Sequence, residues 1–569
     1  MSGGIWEVTG GKTSGGVVVR QGKDTKSPEH PDGRLATGSV VVELELDGER
    51  MRYTLLQGEG PREGWVALKF KDTRLLKPAG EKGTKAAKEE AEVKKARENY
   101  GTEGAKRVWL MPQGTRGDVQ PIVALGVGLR KAGMEVRILA SGNFKSFVES
   151  YGLQFTEQGV DMRQMMDEDK KKYSKLSADS EVAQNYKEDR MSIGSELLDR
   201  AFKSKETLTA STKVVLGLLE TEKPDLIVAH GLNHCVPHFA WRRHGVPTCG
   251  LEFFPSMHCN REEMASHLED LQETSQMVVE DMGGDSALEG VEVDEFVDWR
   301  KTRNFCAVGP QIIDVLGELG YTEEQKAEYK KMCTGFLVLD LSLQMTDTSQ
   351  FGGSAGLKRM QDYLDAGSPP IYLGWGSMPI PTSFMAKFVF AFRMNKLRAI
   401  ICAGWGGHSL EGLKQFVQEV MPEDPMGLVD YATNELLFVT VAPHEWLFQR
   451  CSCTIHHGGA GTTCAALRGG VPTIITPFAV DQFAYAEWVT KMGCGVSLDI
   501  MENAERFMDP KWSKALRQCT SDKDMIAKAK AIGEDLRSQD CVADTAKRID
   551  ELVKESRERP AGEKRRFGH

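Results

Sequence analysis

Apolar residues fall along this chain in three textures. Over residues 1–78 they form short β-branched runs, GGVVVRQG and then GSVVVELELDGERMRYTLLQGEGPREGWVAL, and the Asp47-Gly48 pair between two alternating stretches predicts a hairpin. The expectation is a small all-β module, SH3-like, with Trp6 and Trp65 as core aromatics. Residues 79–106 are rich in charge and poor in large apolar side chains, which predicts a solvated linker with helical character. Past residue 107 a buried-strand run, VWLMP, is followed by PIVALGVGLRKAG with apolar residues at helical spacing and then by a second strand, MEVRILA. Strand, helix, strand within about thirty residues is the βαβ unit of a parallel sheet.

The rhythm returns at DLIVAHGLNHCVPHFAWRRHGVPTCGLEF, after a Lys-, Glu- and Met-rich stretch, roughly 160–222, that reads as helices. From Gly335 six further strand candidates follow: FLVLDLS, IYLGWGSM, RAIICAGWG, LLFVTVA, CTIHHGG and TIITPF. The tail is helical from Ala504 to about Lys554. The expected division is a β module at 1–78, a charged linker at 79–106, Rossmann-like domains at 107–334 and 335–554, and a basic disordered tail at 555–569. Two α/β halves of similar size imply a cleft where ligands bind.

Composition narrows the class. At about 150 residues per domain, 569 residues exclude a single small binding module. A hydrophobic fraction of 40% with 27% charged is that of a globular protein. Seventy-two Lys and Arg against 82 Asp and Glu leave −10, which argues against a general nucleic-acid-binding surface. The 12 cysteines are scattered, as buried thiols in a reducing compartment are; Cys451 and Cys453 read as small hydrophobes on one face of a strand. No apolar run approaches the ~18 residues of a membrane span, and the start lacks the order of a signal peptide, so the expected location is cytoplasmic.

Chemistry concentrates in HHGGAGTTCAALRGGVPTIITPFAVDQFAYAEWV, residues 456–489. Three glycines within Gly458–Gly461 let the backbone turn tightly after a strand, and Thr462 and Thr463 then open a helix. Free N–H groups and the positive helix end face one point there and His457 adds a donor, so a diphosphate fits. Asp481 and Gln482 follow the next strand; a carboxylate plus an amide suits a polyhydroxylated sugar. Asp118 follows the first strand in GTRGD, where it could serve as a general base from a desolvated cleft or simply cap the following helix. His234 and His238, one helical turn apart, could pair on zinc, but ordinary helix and pocket lining is the favoured reading; His230 could line an acceptor site or assist Asp118. The triplets Asp167-Glu168-Asp169 and Asp522-Lys523-Asp524 match the DxD metal pattern, yet neither follows an apolar strand and both are set aside.

Residues 107–550 resemble the nucleotide-sugar-dependent glycosyltransferases of GT-B fold, in the branch of sterol 3-beta-glucosyltransferases and antibiotic glycosyltransferases. The resemblance rests on GTRGDVQPIVALGVGLRKAG at 114–133, PPIYLGWGSM at 369–378, APHEWLF at 442–448, HHGGAGTT and the Asp-Gln pair, in the family's order. It implies a diphosphate held by His457, Gly459, Ala460, Gly461 and Thr462, with Ser377 from the facing loop, and sugar hydroxyls held by Asp481 and Gln482. The 441–446 segment, which includes His444, or an aromatic should meet the uracil; Trp405 and Trp446 are candidates, and both also read as core tryptophans. It makes Asp118 the catalytic base.

The function implied is inverting transfer of a hexose, glucose being expected, from a UDP-sugar to a hydroxyl of a lipophilic acceptor such as a sterol. It needs no metal and no cofactor beyond the donor substrate. The acceptor segment reads Glu252-Phe253-Phe254-Pro255-Ser256-Met257 where sterol-specific members carry an aromatic and Thr-rich stretch. The alternatives are a nucleotide-sugar epimerase or hydrolase and a non-catalytic sugar-nucleotide scaffold. Partners are then the UDP-sugar and the acceptor, with peripheral membrane contact and protein binding by the N-terminal module as options.

Overall fold

The structure, a computed structural model, describes residues 4–11, 15–57, 60–61, 63–71, 73–80, 104–161, 163–165, 199–253, 261–319, 321–341, 344, 348–378, 380–478, 481–499, 509–558 and 567–568. Most of the expected linker, much of the 160–222 stretch including Asp167-Glu168-Asp169, and the acceptor residues from Phe254 to Met257 lie outside the described residues. The chain divides into two compact units, one of residues 1–99, 340–366 and 441–443 and the other of residues 100–339, 367–440 and 444–569.

The first unit holds a seven-stranded antiparallel sheet. Its strands are β1 (Ile5–Val8), β2 (Val17–Arg20), β3 (Glu29–Leu35), β4 (Val40–Asp47), β5 (Arg50–Gln57) and β6 (Glu63–Ala67), with a ribbon of β7 (Lys69–Phe70) and β8 (Thr73–Arg74) before β9 (Leu76–Pro78). The order is β3-β2-β6-β5-β4-β1-β9. The expected hairpin joins β4 to β5, with Asp47 paired to Arg50 and Gly48 at φ 58°. Val19, Val41, Met51, Tyr53 and Val66 build the core; Trp65 is buried, whereas Trp6 is half-buried and donates from its indole N–H to Glu43 Oε2 at 2.9 Å.

The second unit is built on two parallel sheets of the same topology. In the first, β10 (Arg107–Met111), β11 (Glu135–Ala140), β12 (Gln154–Glu157), β13 (Leu226–His230), β14 (Thr248–Glu252) and β15 (Asn304–Cys306) run in the order β12-β11-β10-β13-β14-β15. In the second, β16 (Ile371–Gly374), β17 (Ala399–Cys402), β18 (Leu436–Val439), β19 (Cys453–His456), β20 (Thr473–Ile475) and β21 (Gly495–Ser497) run β18-β17-β16-β19-β20-β21. Each is the doubly wound 3-2-1-4-5-6 order, whose direction of winding reverses between the first and fourth strands. Central strands such as β10 and β16 are apolar along their length because helices cover both faces.

One strand expectation is corrected. Residues 336–340 of FLVLDLS pair with no sheet, and the sixth strand of the second sheet is β21 instead. Phe336, Leu337 and Leu339 are nevertheless buried, so that run is apolar through packing and not through a ladder.

The helices that matter below are α1 (Arg116–Lys131), α2 (Lys205–Leu219), α3 (Val236–His244), α4 (Val293–Arg303), α5 (Ala460–Gly469), α6 (Gln482–Lys491), α7 (Lys523–Arg537) and α8 (Cys541–Glu558). α8 packs on α1 of the first sheet's half, where Val542 meets Gly128. Ion pairs hold it there: Lys106 with Asp550, Arg557 with Asp225 at 2.7 Å and Arg303 with Glu555 at 2.6 Å. Of the 555–569 segment the structure describes residues 555–558 and 567–568. α8 runs to Glu558, and Phe567 is fully buried among His238, Trp241, Phe296 and Trp299. The described cysteines are free thiols, all buried except Cys333. Among the described residues no helix is long and apolar enough to cross a membrane.

Candidate active site

Ligands of doubly wound sheets sit outside the carboxyl ends of the strands where the winding reverses. The loops at those four places are the one after β10, with Asp118; the end of β13, with His230; the one after β16, with Ser377; and the one after β19, with His457. The two halves meet here. A Cβ on Gly461 would lie 3.3 Å from the Gly117 carbonyl oxygen and 3.4 Å from its Cα, so α5 and the start of α1 approach to backbone contact. Pro121, inside α1, lacks the N–H that would bond that same Gly117 carbonyl in a regular helix.

Asp118 occupies the third position of α1 and does cap it. Its Oδ2 accepts the Thr115 backbone N–H at 2.6 Å and the Thr115 hydroxyl at 3.3 Å. Burial raises its pKa above the usual carboxylate range, opposed by His230 and by the bonds from Thr115. His230 is held below its ordinary pKa, chiefly by burial, with Asp118 and Glu252 pulling the other way; its ring stacks on Phe253 at 4.9 Å. Across the cleft Asp481 is raised to about 7, by burial first and by Asp118 second. Two carboxylates facing each other in a desolvated cleft resist joint ionisation.

The glycine-rich loop after β19 is pinned from beneath by a residue the sequence reading passed over. His456 is fully buried, and its Nδ1 accepts the Gly458 N–H at 3.1 Å while Nε2 meets the Thr473 hydroxyl at 2.9 Å. An accepting Nδ1 places the proton on Nε2, and burial keeps the ring neutral, well below its ordinary pKa. Gly458 sits at φ 95°, and a Cβ there would fall 2.5 Å from Ile475 Cγ2. Strand alternation then turns His457 to the other side, where its Nδ1 is buried without a hydrogen-bond partner and burial lowers its pKa to about 4. α5 begins at Ala460, two residues earlier than Thr462, with Gly459 as N-cap and no capping side chain. Gly459, Ala460, Gly461 and Thr462 thus present an uncapped helix end beside a neutral imidazole.

Other expected residues fall into place less simply. Ser377 lies half-buried in the turn after β16. Gln482 is buried and engaged: Oε1 accepts the Phe478 N–H at 2.8 Å and Nε2 meets the Met378 sulfur at 3.4 Å, so its amide shapes the turn before α6. Trp405 is half-buried at the carboxyl end of β17, its backbone N–H bonded to the Gly376 carbonyl at 2.8 Å, and it packs in an apolar group with Phe202, Val160, Met165 and Leu232. His444 contacts the Tyr372 hydroxyl at 3.0 Å and stacks on Phe448 at 4.6 Å; burial holds its pKa at about 3. Trp446 is buried under the Arg450 guanidinium and serves as core.

Among the described residues no group of three or more His, Cys, Asp and Glu side chains could hold a metal ion. His238 on α3 packs against Trp299 and Phe567, while His234 lies before α3 at φ 46° beside the charges of Lys203 and Asp270. Asp522 is a helix cap, accepting the backbone N–H groups of Asp524 and Met525 at the start of α7.

Comparison with known proteins agrees with this geometry. Residues 108–248 match the glycosyltransferase family 28 N-terminal domain, and residues 420–552 the erythromycin biosynthesis protein CIII-like C-terminal domain. A sterol 3-beta-glucosyltransferase of Yarrowia lipolytica is 28% identical over 471 residues, covering 76% of this chain and 28% of that one. One from Arabidopsis thaliana is 27% identical over 426 residues, covering 71% of this chain and 63% of its own. This chain thus spans less than two thirds of either relative. The calicheamicin glycosyltransferase CalG4 superposes with a TM-score of 0.53 at 15% identity, over 79% of this chain and 99% of that one. The glycotransferase of kitacinnamycin gives 0.52 at 16% identity, over 79% and 99%. A glycosyltransferase family 28 N-terminal domain matched in the first half, an erythromycin biosynthesis protein CIII-like C-terminal domain matched in the second, and two sheets of one winding order give this chain the GT-B fold of those neighbours.

Proposed function

We propose that this chain is an inverting glycosyltransferase that moves glucose from UDP-glucose to the hydroxyl of a lipophilic acceptor, with a sterol as the acceptor class its relatives' names suggest. The observation that carries the reading is the approach of α5 to the start of α1, which sets an uncapped helix end and His457 opposite the Asp118 carboxylate. The diphosphate binds the N–H groups at Gly459–Thr462 and the neutral imidazole of His457, with Ser377 on the facing loop. Asp481 receives the sugar hydroxyls, and Gln482 holds the turn that presents it. Trp405 and His444 bound the nucleoside side.

In the step itself Asp118 takes the proton of the acceptor hydroxyl, whose oxygen attacks the anomeric carbon. The bond from that carbon to the diphosphate oxygen breaks, UDP leaves with the electron pair, and the configuration inverts. The leaving charge falls on backbone N–H groups and the positive end of α5. No metal enters this scheme. Incubating the protein with radiolabelled UDP-glucose and a panel of sterols, with and without EDTA, tests it: the expected product is a sterol glucoside in both cases. Release of free glucose with no glucoside would favour a hydrolase, and UDP binding without any turnover a scaffold.

A further inference from the structure

α6, which starts just after Asp481, is tied to the acceptor half by one phenol. Tyr485 stands one turn on, its N–H bonded to the Asp481 carbonyl at 3.1 Å. It is fully buried, and its hydroxyl donates to the backbone carbonyl of Phe253, just past β14. The ring has an apolar seat of its own, edge-on to Trp488 at 5.0 Å in a cluster that also holds Val308 and Ile312 from the first half. Phe253 in turn stacks on His230, which faces Asp118. The end of β14 is itself anchored, because Glu252 pairs with the buried Arg300 at 2.5 Å and its carbonyl accepts the Ala307 N–H at 2.7 Å. Asp481, Tyr485, Phe253, His230 and Asp118 therefore form a closed circuit across the cleft.

We propose that Tyr485 is a positioning residue whose hydroxyl registers the helix behind Asp481 against the strand end behind Asp118, so that donor carbon and acceptor oxygen meet in line. The proposal rests on the glycosyl-transfer reading above. A buried phenol that loses its acceptor is costly, so the bond favours one register of the two halves over its neighbours. Displacement transfer is sensitive to such register, since a shift of about 1 Å costs about a hundredfold in rate. Water, being small and untethered, can reposition itself in the cleft and suffers less from the same shift.

Tyr485→Phe keeps the ring and removes only the hydroxyl. Transfer kcat should fall by about tenfold or more while the KM for UDP-glucose stays within about twofold, and UDP released per glucoside formed should rise by about fivefold. Backbone amide exchange should quicken over residues 248–253 and 482–491 and stay unchanged elsewhere. An unchanged ratio of UDP to glucoside together with unchanged exchange overturns the proposal. So does a proportional loss of transfer and hydrolysis with exchange quickened throughout the chain, which is the mark of general destabilisation. If the unsubstituted protein glucosylates nothing, the transfer reading falls on its own, and the exchange comparison alone still decides whether Tyr485 ties the halves.

Discussion

Asp118 holds two assignments that the sequence set against each other, and the geometry lets it keep both. One carboxylate oxygen, Oδ2, is spent on the Thr115 N–H and hydroxyl. Those bonds fix the rotamer and leave Oδ1 for the cleft. Burial outweighs them in setting the proton affinity, which lies above the ordinary carboxylate range, as suits a general base. Asp481 is raised to about 7, by burial first and by the charge on Asp118 second. The sign follows. Its folded pKa exceeds the unfolded value near 4, so the stability its protonated form lends is complete below about pH 4 and is lost as pH rises to about 7. An ionised Asp481 accepts sugar hydroxyls more strongly, so the affinity for UDP-glucose should increase through about pH 7. Asp118→Asn removes the like charge and should move that inflection to lower pH; calorimetric titrations from pH 5 to 8.5 on both proteins check it. An inflection that stays put would mean that the two carboxylates do not sense each other.

At the scale of elements, legibility tracked how much each segment depends on its own residues. The strand-turn-helix after β19 was readable because three glycines, a histidine pair and a helix start lie within a few positions. His457 was singled out from the sequence, but the role of His456 was not readable. Only the pairing of β19 beside β20 reveals that His456 turns inward to Thr473. β12, β15 and β21 are too short to carry a periodic signal, and Phe336–Leu339 carries the apolar signal without a partner strand. Gln482 shows the same limit, since its engagement with Phe478 and Met378 depends on a turn that sequence spacing does not define. The loop's geometry yields its own test. Gly458→Ala must hold a side chain at φ 95° with its Cβ against Ile475, a strain of about 1–3 kcal/mol. UDP affinity should drop by about tenfold or more in isothermal titration, whereas an unchanged affinity would show that the loop's backbone does not hold the diphosphate.

The whole molecule adds what neither residue nor element supplies. Both sheets share one winding order, so their reversal points can face each other; the loops with Asp118, His230, Ser377 and His457 are the four that this order selects, and Asp481 follows the next strand, β20. The C-terminal helix α8 returns to pack on α1, and Phe567 fills a socket of His238, Trp241, Phe296 and Trp299, so the chain's end stabilises the half that its sequence position does not suggest. With a formal charge of −10 the molecule as a whole repels an anion, so on the proposed reading capture of a nucleotide sugar falls to backbone N–H groups and one helix end. The most direct test of the central claim is to measure UDP affinity and glucoside formation side by side for Asp118→Asn. The account predicts UDP binding within about twofold of the unsubstituted protein and transfer reduced by about a thousandfold or more, the scale of a lost general base. Full transfer by that variant would contradict it.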